Sequence, residues 1–186
     1  MLFTAPTVRL WAFGLSVLLL ISCQNADKTE AETDRVPSAV SYIEALEADF
    51  ARLIDDHPDH PEYRPKARYL TEEYRRFASR FSEHEEAPEM LFRAANLEAD
   101  ALDRPGVAVG LFRKLTDGWP EAEQAPRAQF LIGYTLHHQM EQKERAAEAY
   151  EAFLERYPDH ELRAAVEDEL MVIESGFDID EFIRNL

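Results

Sequence analysis

The stretch DDHPDHPE, residues 55–62, packs six potential ligand or acid/base side chains into eight residues: Asp55, Asp56, His57, Asp59, His60 and Glu62. Its Pro-Asp-His tripeptide, 58–60, recurs at 158–160. An imidazole beside a carboxylate serves both proton transfer and divalent metals. Two histidines three apart can share an ion on a helical turn, but Pro58 and Pro61 break any helix across them. The spacing matches none of the structural zinc patterns. A solvated acidic turn is expected, and the two tripeptides are read as punctuation between helices, with Asp159 capping the helix that follows. His137 and His138 are chain neighbours, so on an α-helix they point about 100° apart and are expected at the surface. There is no Gly-x-Ser-x-Gly elbow, no Gly-rich phosphate loop and no His-Glu-x-x-His; the nearest string, HEEAP at 84–88, lacks the second histidine. The expectation is a protein with no catalytic residues, no metal and no cofactor.

Charge narrows the partners. The 186 residues include 37 acidic against 20 Lys plus Arg, a net −17. Such a surface repels phosphate backbones, so nucleic acid is not an expected partner. It disfavours anionic lipid headgroups for the same reason. Arg68, Glu72, Arg76 and Arg80 recur every fourth residue and, with Arg75 added, make the one local basic cluster. A salt-bridged, solvated helix face is expected there.

The only cysteine, Cys23, follows an apolar run from Leu10 to Ile21 with Arg9 before it. That run is too short for a membrane span, which needs about 20 residues, and it fits a signal peptide. LISC at 20–23 resembles the lipobox of bacterial lipoproteins. The resemblance implies cleavage after residue 22 and a lipidated Cys23 at the new N-terminus. By the sorting rules of such lipoproteins, Gln24 in place of aspartate implies the outer membrane. Residues 23–37 are then a lipidated cysteine and a flexible tether too poor in apolar groups to fold. Residues 38–186 form the folded domain.

The elements that must position any site are helical. Ala67, Leu70, Tyr74, Phe77 and Phe81 are spaced three, four, three and four, one stripe of a helix. The pattern returns at a shift of 38: Leu70, Ala108 and Ala146; Tyr74, Phe112 and Tyr150; Phe77, Leu115 and Phe153; Phe81, Trp119 and Tyr157. A helical period of this length is the mark of stacked helix pairs, each covering its neighbour's apolar face. Helices are expected near 38–56, 62–82, 88–103, 105–118, 124–140, 143–157 and 160–174. A last short helix, 178–184, would cap the stack with Phe177, Ile179, Phe182 and Ile183.

The unit FLIGYTLHHQMEQKERAAEAYEAFLERYP, with Ile132-Gly133, Leu136, Ala146, Tyr150 and Pro158, resembles the tetratricopeptide repeat. It departs in its period of 38 rather than 34, in Phe153 where a small residue is usual, and in Gln129 where the first helix carries an aromatic. The fold implied is all-α: a short right-handed array of antiparallel helix pairs with a C-terminal capping helix. The chain also looks like small repeat lipoproteins of bacterial envelopes, distantly similar to those of the β-barrel assembly machinery and of cell-division coordinators. This implies a non-catalytic scaffold at the periplasmic face of the outer membrane, or exposed at the surface. It would bind another envelope protein or serve as a subunit of a larger assembly. In such arrays the first helix of each pair lines the groove, which makes Arg93, Asn96, Asp100, Gln129, Tyr134 and His137 the candidate binding residues. The alternative is a periplasmic binding protein or enzyme acting on a small molecule or cell-wall fragment in that groove.

Overall fold

The structure, a computed structural model, describes residues 35–56 and 60–175. Seven α-helices are present among these residues: α1 Val36–Asp56, α2 Tyr63–Arg80, α3 Ala87–Asn96, α4 Pro105–Gly118, α5 Gln124–Tyr134, α6 Lys143–Arg156 and α7 Arg163–Ser175. Two π-turns, Leu97–Ala101 and Thr135–Gln139, prolong α3 and α5. No strand occurs among the described residues, and none of the helices is long and apolar enough to cross a membrane. The fold is all-α, as the periodicity required. Cys23, most of the tether and the expected 178–184 cap lie outside the described residues.

The chain divides into two compact units, 1–42 and 43–186. Of the first, only residues 35–42, which open α1, are described. In the second, each helix from α2 to α7 packs on the next in sequence, and the short loops between them make these neighbours antiparallel. Burial follows the 38-residue period. Leu70, Ala108 and Ala146 are buried, as are Tyr74, Phe112 and Tyr150, and Phe77, Leu115 and Phe153. Sequestering one such large side chain contributes roughly 1.5–3 kcal/mol. Helices of this amphipathic kind therefore hold their shape mainly by covering one another.

The ends of the helices repeat as faithfully as their cores. Phe81, Trp119 and Tyr157 close α2, α4 and α6, and each N–H donates to the carbonyl four residues back at 2.8 Å. The Trp119 indole N–H also donates to the Ser82 carbonyl at 3.0 Å, and the Tyr157 hydroxyl to the Pro120 carbonyl at 3.3 Å. Both bonds stitch the end of a second helix to the loop one repeat earlier.

Histidine supplies the punctuation at the helix starts. Nδ1 of His60, His84 and His160 accepts the N–H two residues on, from Glu62, Glu86 and Leu162, at 3.1, 3.2 and 3.1 Å. His84 and His160 also stand edge-on to Phe77 and Phe153, at 5.8 Å in both cases. The recurring Pro-Asp-His therefore ends in a helix-entry device. Asp159 does not provide the bond expected of it. It is exposed, and His160 takes that role at the start of α7.

Two further features were not foreseen. Leu102 N–H bonds to Leu97 O and Met140 N–H to Thr135 O, each spanning five residues, which defines the π-turns. Just after them Asp103 and Glu141 take φ of 56° and 55°, the left-handed C-cap conformation usually given to glycine. The next N–H groups, of Arg104 and Gln142, turn back to Glu98 O and Leu136 O at 2.7 and 2.8 Å. The stripe on α2 also pairs differently from expectation: Arg75 with Glu72 at 3.5 Å and Arg76 with Glu73 at 2.8 Å, both three residues apart.

Candidate functional site

Tyr74, Phe112 and Tyr150 occupy one phase of the repeat, on α2, α4 and α6, with their rings buried. What surrounds their outer ends changes along the array. Two of the three carry a hydroxyl, and each hydroxyl lies beside a polar cluster contributed by other helices.

The first cluster centres on Glu47 of α1. Tyr74 Oη donates to Glu47 Oε1 at 2.6 Å. Arg93 of α3 donates to the same oxygen from a terminal nitrogen at 2.6 Å and to Glu89 Oε1 from Nε at 2.6 Å. Gln124, opening α5, donates to the other Glu89 oxygen at 3.0 Å. Burial pushes the Tyr74 hydroxyl well above the ordinary phenol range, and its bond to the Glu47 carboxylate adds to the rise. Partial burial works against the Arg93 charge, but the bonds to Glu89 and Glu47 outweigh it and raise its pKa. Near the start of α2, Lys66 binds Asp49 of α1 and holds that carboxyl below its usual range.

The middle of the array is apolar. Phe112 meets Phe92 at 5.7 Å between ring centroids, and the Arg127 guanidinium lies 5.3 Å over Phe92.

The second cluster joins α5, α6 and α7. Gly133 lets it form: a Cβ there would meet the Tyr150 ring at 2.4 Å. Close approach of the ring to the α5 backbone requires glycine at this point. Beyond the ring, His137 Nδ1 lies 3.0 Å from Glu169 Oε2. His138 Nε2 lies 2.9 Å from the same oxygen and 3.1 Å from Oε1. The imidazole centroids are 4.3 Å apart, and Tyr134 packs on His138 at 4.4 Å. His137 is buried, while His138 is 40 % and Tyr134 39 % exposed. Burial and the nearby Glu169 charge both raise the pKa of the Tyr150 hydroxyl.

The expectation that His137 and His138 point apart is thus corrected, and of the two only His138 stands at the surface. They stand in a π-turn, which is wider than an α-turn, so neighbours advance through a smaller angle. They also offer different nitrogens, Nδ1 and Nε2, and so reach one carboxylate.

Of the candidate groove residues, Arg93 belongs to the first cluster, and Tyr134 and His137 to the second. Asn96 is half-buried and Asp100 exposed, and neither joins a cluster. Gln129 is buried and donates to the Ala149 carbonyl of α6 at 2.8 Å. With Arg113, Arg145 and Arg156 it lines a cleft of about 340 Å³. Glu47, Tyr74, His138, Tyr150 and Glu169 were not among the candidates. The one trace of them in the sequence is that the tyrosines hold a phase which phenylalanine fills equally well at position 112.

Residues 127–160 match the tetratricopeptide repeat family model. The match spans most of α5, its π-turn, all of α6 and the loop through His160, so it contains Gly133, both histidines and Tyr150. The chain carries a tetratricopeptide-type repeat within an all-α helical array. Compared with curated proteins, the sequence gives no match.

Proposed function

We propose that the protein is a non-catalytic scaffold, anchored by lipid at Cys23 to the outer membrane of a bacterial envelope. On this reading it faces the periplasm and binds a segment of another envelope protein, in outer-membrane protein assembly or secretion. Tetratricopeptide repeats generally mediate protein–protein interactions, and their all-helical fold is typically non-catalytic. The observation that carries the reading is the pairing of such a repeat with partly exposed polar and aromatic side chains, Arg93, Tyr134 and His138, on the first helices of successive pairs. Anchoring would confine the domain near the membrane and raise the effective concentration of its partner there.

The test is a photo-crosslinking residue at Tyr134 in the full-length, membrane-anchored protein, with identification of what is captured in cells. Enrichment of one envelope protein, lost in the Arg93→Glu variant while the helical circular dichroism is unchanged, is the expected result. No capture above background with the anchor intact would sink the scaffold.

One observation favours a second reading, a small anionic ligand or cell-wall fragment. In a chain of net charge −17, the cleft between α4 and α6 gathers Arg113, Arg145 and Arg156, with Asp117 and Glu148 beside them. Saturable binding of such a fragment, abolished by Arg145→Glu, would favour that reading over the scaffold.

A further inference from the structure

We propose that His137, His138 and Glu169 form a binding site for one divalent transition-metal ion, zinc being the first to test. The offered donor atoms of the three residues all lie within 4.8 Å of one another. In a tetrahedral site with bonds of about 2.0–2.1 Å, donors stand roughly 3.4 Å apart. The nitrogen-to-carboxylate distances here are 3.0 and 2.9 Å, a few tenths of an ångström from that spacing. Two imidazoles and one carboxylate suit zinc, copper, nickel or iron rather than magnesium or calcium.

Two observations separate this cluster from ordinary packing. The preceding unit builds the same π-turn with Ala99 and Asp100 where these histidines stand, and α5 has Leu131 at the phase of Glu169. The turn therefore needs no imidazole, and the helix contact needs no carboxylate. Secondly, Tyr150 Oη is buried without a hydrogen-bond partner of ordinary geometry, yet lies close enough to Glu169 to feel its charge. A phenol beside a ligating carboxylate is the kind of outer partner that orients metal ligands.

Three protein ligands leave a fourth position for water or for a side chain from a partner. The exposed Tyr134 ring packs against His138, one of the three proposed ligands. An ion here would tie α7 to α5. This inference does not depend on the scaffold reading, since a metal-tied array can bind any class of ligand.

The experiment is calorimetric titration of Zn²⁺ into full-length protein, purified in detergent and stripped with chelator, with Co²⁺ absorption as a second readout. The expected result is one saturable ion per chain and a visible tetrahedral Co²⁺ band. His138→Ala and Glu169→Gln should each weaken binding at least tenfold and remove the band. His138 is 40 % exposed, so its truncation leaves the core intact. A His57→Ala/His60→Ala variant should bind as the parent does. The proposal is overturned if the parent takes up no ion, or if the two cluster variants bind normally while the His57/His60 variant does not. It is equally overturned if the cluster variants lower the melting temperature and leave ion uptake unchanged, which is the signature of a hydrogen-bonded strut alone.

Discussion

Gly133 and Tyr150 show how one missing methyl shapes a site. Because a Cβ at 133 would stand 2.4 Å from the Tyr150 ring, Gly133→Ala must push the ring or the helix aside. A loss of about 1–3 kcal/mol is expected in urea unfolding; an unchanged midpoint would mean that the ring swings clear freely. The preceding unit holds Ala95 against the same phase, so the constraint belongs to this unit and not to the repeat. The two buried tyrosines should also behave differently. Tyr74→Phe removes a bond to a carboxylate at 2.6 Å and should cost about 1.5–3 kcal/mol. Tyr150→Phe removes a hydroxyl without a well-formed partner and should be close to neutral at pH 7. Both hydroxyls titrate higher in the folded chain than in the unfolded one. Their contribution is therefore fully present below the unfolded phenol value of about 10 and is lost as pH rises beyond it. Melting temperatures measured between pH 8 and 11 should fall less steeply in the Tyr74→Phe/Tyr150→Phe double variant than in the parent.

At the scale of the elements, the first helix of each complete described pair ends in the same way: π-turn, left-handed residue, then the second helix. The left-handed residue is Asp103 in one unit and Glu141 in the next. An L-residue with a Cβ is strained there by about 1–2 kcal/mol, and glycine is not. Glu141→Gly should accordingly stabilise the domain by about 1 kcal/mol, read as a raised urea midpoint with an unchanged slope. A destabilised variant would mean that the Glu141 side chain contributes more than its backbone strain costs. Within the same turn Glu98 is buried where the next unit places Leu136. Arg104, 3.3 Å away, offsets its charge. The fold thus tolerates a carboxylate at a leucine position because the reversing chain brings an arginine back to it.

At the scale of the molecule, the net charge of −17 and the lone cysteine set the expectations for partners and address. If Cys23 carries lipid, Cys23→Ser should abolish palmitate labelling and move the protein from the membrane to the soluble fraction. Equal membrane association of the two forms would remove the anchor from the proposal.

The sequence alone determined the helices, their pairing and most of the core. Burial is periodic in a repeat, so the residues that meet between helices recur at 38 in the chain just as they recur in space. The matched residues 127–160 fall on that same pattern. Two things required the tertiary structure. Glu47 reaches Arg93 across 46 residues and His137 reaches Glu169 across 32; their phases mark a helix face, but not which side chain spans to which. The convergence of His137 and His138 was hidden for a second reason. Nothing in their types announces a change from four-residue to five-residue hydrogen bonds, and that change brings both imidazoles to one carboxylate.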